Sequence, residues 1–218
     1  MADAAVRGGC ITLIGMPASG KSTVGVVLAK KTGRRFLDGD LIIQEQTGKL
    51  LKELIAEHGD DGFRALENEI HAGLQAEHAV IAPGGSVVYG EDAMAHLRAL
   101  GTVIYLKLPY PAIRRRLGNL EARGVSIKKG QSLKQLYDER VKLYEKYADI
   151  TIDETGLGTR KVVEAIVEAL GEGGGRNGQD RLEARKHALS GSGSHGKLQG
   201  QRRKSEHHHR GMGRNRVL

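Results

Sequence analysis

Residues 10–25 read C-I-T-L-I-G-M-P-A-S-G-K-S-T-V-G, and no other stretch restricts the fold so tightly. Cys10–Ile14 forms a short strand with no polar face to turn to water, so it must be covered on both sides. A loop of small residues follows, and then a helix is predicted from about Lys21 to Thr32. A buried strand that passes through a tight loop into a helix is the opening of a parallel α/β sheet.

The loop itself, Gly15-Met16-Pro17-Ala18-Ser19-Gly20-Lys21-Ser22, fits G-x-x-x-x-G-K-[ST]. That spacing has a chemical reason. Successive backbone N–H groups of such a loop converge on phosphate oxygens. The helix beginning at the lysine adds the positive end of its dipole. Lys21 reaches the outer phosphates as a point charge, and the Ser22 hydroxyl suits Mg²⁺. Gly15, Ala18, Ser19, Gly20, Lys21, Ser22 and Thr23 are therefore the candidate nucleoside-triphosphate cradle; the plain alternative is a tight glycine turn.

The pattern repeats along the body. Strands are predicted at Arg35–Leu37, Val80–Ala82, Thr102–Leu108 and Ile150–Asp153, with Pro109 opening a helix after the fourth and a last helix over about Thr159–Leu170. Asp60–Glu77 reads as a long amphipathic helix, with Phe63, Leu66, Ile70 and Leu74 on one stripe. Apolar strands alternating with helices imply a three-layer α/β domain. Aromatic residues are only 4% of the chain, so its core is expected to be aliphatic.

The net charge of +8 is uneven. Residues 171–218 hold eleven Lys/Arg against four Asp/Glu, which leaves residues 1–170 close to neutral. This Gly/Ser-rich tail has too few large apolar residues to offset its ordering entropy, apart from a weak helical patch at 180–189. It is expected to be a solvated, disordered appendage, with weak non-specific polyanion binding as the alternative. His207, His208 and His209 lack the further ligands at fixed spacing that a metal site needs. The single cysteine, Cys10, allows no disulfide within the chain. With an acid before the only base in Met1–Arg7, and no run near 18 apolar residues, a cytoplasmic protein without membrane segments is expected.

Asp38-Gly39-Asp40 ends the second predicted strand, on the edge where open α/β sheets bind ligands. In an extended segment both carboxylates project the same way, one toward water-held Mg²⁺ and one toward an attacking hydroxyl. A helix cap or Asx turn before Leu41 is the other reading.

These residues resemble a family. L-I-G-M-P-A-S-G-K-S-T-V-G, F-L-D-G-D, G-F-R-A-L-E, A-P-G-G-S and E-R-V-K-L-Y-E-K-Y-A-D-I-T-I-D stand in the order and spacing of the shikimate kinases, over about residues 10–170. The resemblance implies a P-loop kinase fold with a five-stranded parallel sheet of order 2-3-1-4-5. It implies transfer of the γ-phosphoryl of ATP to the 3-hydroxyl of shikimate; a monomer is expected. By position, it gives Asp40 the acceptor hydroxyl and Asp38 the Mg²⁺ through water. Arg64 and Arg140 would clamp the acceptor carboxylate, a pairing that suits the planar guanidinium fork. Glu67 would steady Arg64, and Gly84 and Gly85 would let the acceptor approach closely. Arg123, within Leu117–Gln131, would close over the ATP phosphates as a lid. Read alone, each arginine is equally a surface charge, the glycine pair an ordinary turn and 117–131 a plain loop.

The chain departs from the family pattern at Pro83 and Ser86 around the glycine pair, after Arg123 (Gly-Val) and after Arg140 (Val-Lys). Ala18 replaces a common glycine, a change expected to be harmless. A kinase of the same build acting on another small hydroxylated acid or alcohol, and a nucleotide-binding regulator without phosphotransfer, are the competing readings. The presence of Lys21, Ser22, Asp38 and Asp40 together argues against the regulator.

Overall fold

The structure is a computed structural model that describes residues 9–117 and 130–171. All of these belong to one compact unit within Met1–Gly174. The tail beyond Gly171, with the weak helical patch at 180–189 and the three consecutive histidines, lies outside the described residues, as does Arg123 with most of the expected lid.

Five strands form one sheet: β1 (Cys10–Ile14), β2 (Arg35–Asp38), β3 (Ala79–Ala82), β4 (Gly101–Lys107) and β5 (Ile150–Asp153). They pair in the order β2-β3-β1-β4-β5, parallel throughout. The helices between them are α1 (Lys21–Thr32), α2 (Gly39–Thr47), α3 (Leu51–Ala72), α4 (Glu91–Leu100), α5 (Tyr110–Leu117), α6 (Leu133–Tyr147) and α7 (Thr159–Ala169). Among the described residues, no helix is long and apolar enough to cross a membrane.

Alternate residues of the central strands enter two separate cores, which is why β1 carries no polar face. Cys10, Ile14, Ile81, Val103 and Tyr105 pack with Met94 and Leu97 of α4, Ile113 of α5 and Tyr144 of α6. Ile11, Leu13, Val80, Ile104 and Leu106 pack with Val24 and Leu28 of α1 and Val163 and Ile166 of α7. Burying apolar surface on both faces, at about 25 cal/mol per Å², is the main force holding the three layers together.

The long amphipathic helix differs from its expected form. α3 starts nine residues earlier, at Leu51, and bends at Gly59, whose φ of 67° interrupts the helical geometry. It ends at Ala72, before Gly73, so Leu74 lies beyond it. Phe63 and Ile70 pack with Ile43 and Leu54 in a satellite core, while Leu74 joins the core under α4. The expected single stripe is thus divided between two clusters.

Because the strands are parallel, the ends of β1, β2 and β3 deliver Gly15, Asp38 and Pro83 to the same edge. The site is built there.

Candidate active site

The loop after β1 turns on Gly20, whose φ of 101° lies in the left-handed region that favours glycine. Gly20 is also the cap of α1 and brings no side chain to it, so the first N–H groups of the helix stay open to a ligand. Lys21 folds inward, and its Nζ donates to the carbonyls of Gly15 (3.0 Å) and Met16 (3.2 Å). Burial of that ammonium pushes its pKa down from 10.5 to about 8, against the opposing pull of Asp40. Ala18 stands at φ 62°. The harmlessness expected of this residue therefore needs correction: an L side chain in that region costs about 1–2 kcal/mol.

The two aspartates do not project alike, because α2 begins at Gly39 and Asp40 is already helical. Asp38 remains extended and serves two groups. Its Oδ1 accepts from the backbone N–H groups of Asp40 (3.1 Å) and Leu41 (3.4 Å) as the helix cap. Its Oδ2 accepts from the Ser22 hydroxyl at 2.9 Å. Cap and site residue are thus one. Asp40 opens instead onto the cleft, and desolvation, then the neighbouring Asp38, raises its pKa. Gly39 is obligatory for packing, since a Cβ there would meet Nε2 of His71 at 2.6 Å and Cα of Pro83 at 2.8 Å.

A cleft of about 570 Å³ joins these parts. Lys21 and Ser22 line it together with Asp40, Glu67, Gly84, Gly85 and Arg140. A Cβ on Gly84 would collide with Glu67 Oε1 and approach Asp40 Oδ1 to 3.2 Å, so the bare backbone is what keeps the cleft open. Arg140 is almost wholly buried (1% exposed), and its Nε donates to the Tyr89 hydroxyl at 3.4 Å.

Glu67 does not steady Arg64, contrary to the expectation. Its carboxylate, 1% exposed, turns to Gly84, and among the described residues neither oxygen has a hydrogen-bond partner of good geometry, although the Ser86 hydroxyl favours its charged form. Burial raises its pKa to about 7. Arg64 itself does not line the cleft. Its guanidinium lies over the Tyr89 ring, 4.0 Å from the centroid.

Three further residues escaped the sequence reading. Tyr144, one turn after Arg140, donates its hydroxyl to the Gly85 carbonyl at 2.7 Å and stacks on Tyr105. Arg116 donates to the carbonyls of Ala18 (3.3 Å) and Ser19 (3.2 Å), tying α5 to the loop. Buried Glu154 lies 3.9 Å from Arg116, and burial lifts its pKa to about 7. Only the L-Y of the E-R-x-x-L-Y motif marked any of them in advance. Arg116 is the last of three consecutive arginines, and nothing local singles it out.

A family model described as shikimate kinase matches residues 17–171. The shikimate kinase of Persephonella marina is 35% identical over 158 residues, which cover 72% of this chain and 96% of that protein. The crystal structure of shikimate kinase from Aquifex aeolicus superposes with a TM-score of 0.65 at 30% identity, covering 76% of this chain and 99% of that one. Shikimate kinase from Acinetobacter baumannii, solved in complex with shikimate, gives a TM-score of 0.67 at 27% identity, over 80% of this chain and 97% of that one. The glycine loop after β1, the parallel order β2-β3-β1-β4-β5 and these matches agree: the chain belongs to the shikimate kinase family.

Proposed function

We propose that the protein transfers the γ-phosphoryl group of ATP to the 3-hydroxyl of shikimate. The observation that carries this reading is the convergence of Lys21, Asp40 and Arg140 on one cleft in a chain of this family. The open N–H groups of the loop and of α1 receive the phosphates, and Lys21 offsets charge on the group in transfer. Asp40 holds the acceptor hydroxyl in line and takes its proton as the new P–O bond forms and the bond to ADP breaks. Its raised pKa brings it nearer the working range for that task.

Ser22 and Asp38 present hard oxygen donors 2.9 Å apart beside Lys21, a set that fits Mg²⁺. Ser22 would hold the ion directly and Asp38 through water. When bound, the ion supplies positive charge to the phosphates.

Arg140, which lines the cleft, and Arg64, which shares the Tyr89 ring with it, pair with the acceptor carboxylate, while Gly84 and Gly85 admit its ring. Arg123 closes over the phosphates and helps exclude water. The reading takes the enzyme as a monomer and puts it in the cytoplasm with its ATP supply. Residues 1–170 form the catalytic unit. The tail 171–218 adds only weak, salt-sensitive polyanion binding, which a gel shift of the full chain and of a chain ending at Leu170 tests at two salt concentrations.

The deciding experiment is an ATP-consumption assay of the full chain against shikimate, quinate, gluconate, homoserine and nucleoside monophosphates. Preference for shikimate is expected. Preference for another acceptor would move the role of Pro83 and Ser86, which stand beside Gly84 and Gly85, to the front.

A further inference from the structure

Arg64 lacks the partner that its role requires. Among the described residues its Nε and Nη2 are buried without a hydrogen-bond partner, and Asp61 reaches its Nη1 only at 3.9 Å. Its side chain is nevertheless well enclosed, 12% exposed. The contact that orients it is the ring of Tyr89, with the guanidinium carbon 4.0 Å from the centroid. The same ring has the Arg140 guanidinium carbon at 5.4 Å, and its hydroxyl accepts from Arg140 Nε.

We propose that Tyr89 is the positioning residue of the acceptor-carboxylate site, acting through both arginines. The negative face of an aromatic ring attracts a guanidinium and prefers it parallel, which fixes the plane of the fork. Tyr89 closes the short 3₁₀ turn Val87–Tyr89 directly after Gly84, Gly85 and Ser86, so the backbone that admits the acceptor also carries this ring. Two cations held near one ring repel each other until an anion arrives. The ring's electron-rich face offsets part of that repulsion and keeps both forks assembled beforehand. Arg64 then retains two unused donors, on Nε and Nη2, in the paired geometry a carboxylate accepts. This assignment rests on the proposed reading of Arg64 and Arg140 as a carboxylate clamp.

The test uses the full chain, with shikimate and its carboxamide analogue as acceptors. Tyr89→Leu keeps apolar bulk and loses the ring face; Tyr89→Phe keeps the face and loses the hydroxyl. Tyr89→Leu should raise KM for shikimate about tenfold while KM for ATP stays within about twofold, and Tyr89→Phe should raise it about two- to threefold. Tyr89→Leu should also erase most of the preference for acid over amide. In an Arg64→Ala background the same substitution should add only about two- to threefold, the share that acts through Arg140. Tyr89→Met supplies the same loss of the ring should the leucine variant fail to fold. An undiminished acid-over-amide preference in the folded leucine or methionine variant would overturn the assignment, as would an effect of equal size in the Arg64→Ala background. If the wild type already treats acid and amide alike, the clamp itself fails, and the role of Tyr89 falls with it.

Discussion

ATP binding should draw a proton from solution, and the amount should follow Lys21. Burial holds this ammonium at a pKa of about 8 in the free protein. Incoming phosphate oxygens favour its charged form and return the pKa toward or above its ordinary value. The sign follows from the depressed pKa: the charged, binding-competent form is present below about pH 8 and is lost as the pH rises through it. Uptake on binding is the fraction deprotonated beforehand, so about 0.1 proton at pH 7, about 0.5 at pH 8 and about 0.9 at pH 9. The same linkage weakens ATP affinity about tenfold between pH 7 and pH 9. Titration calorimetry in two buffers of different ionisation enthalpy measures the uptake directly. Glu67, at about 7, can add protons in the same direction when negative charge arrives nearby, and Glu67→Gln removes that share. Lys21→Arg stays charged throughout this range, so its uptake at pH 9 should vanish. No uptake by the wild type at pH 9, or equal uptake by Lys21→Arg, would refute the reasoning.

Asp40→Asn should lower kcat by about 10²–10⁴, whereas Asp38→Asn keeps an oxygen to cap α2 and should chiefly raise the Mg²⁺ concentration needed for half-maximal rate; metal-titrated kinetics separate the two. Glu67 has a folded pKa of about 7 against 4.5 in the unfolded chain, so the stability it allows at low pH is lost as the pH rises through 7. Glu67→Gln should accordingly be more stable than wild type at pH 8 by up to about 3 kcal/mol, with the advantage gone below about pH 5 in urea melts. Ala18→Gly should stabilise the protein by no more than about 1 kcal/mol, because relief of the left-handed backbone is partly cancelled by unfolded-state entropy. Ala18→Val should cost about 2 kcal/mol, and thermal melts showing the valine variant as stable as wild type would mean the loop relaxes to another geometry.

The strand, loop and helix over residues 10–32 were legible in the sequence because each signal lies in consecutive residues: unbroken apolarity, glycine spacing, and a helix that follows at once. The other strands were legible for the same reason, with ends misplaced by a residue at Asp38, Ala79, Gly101 and Leu108. Lys21, Ser22 and Asp40 followed from the motifs and from the edge where parallel strands deliver their ends. The start of α2 at Gly39 was not legible, because Asp38 can cap a helix or continue a strand, and only the Ser22 hydroxyl and the packing of Gly39 against His71 decide between them. The partner of Arg64 was misread for a related reason. Glu67 stands one helical turn away and satisfies the local rule, yet the carboxylate turns to Gly84 while Tyr89, on another element, takes the guanidinium. Arg116 reaches the Ala18 carbonyl across 98 residues of sequence. Periodicity and turn chemistry are properties of neighbours along the chain and survive in a bare sequence. Which of two plausible side chains meets a buried charge depends on how the layers bring distant segments together, and that was decided only by the fold.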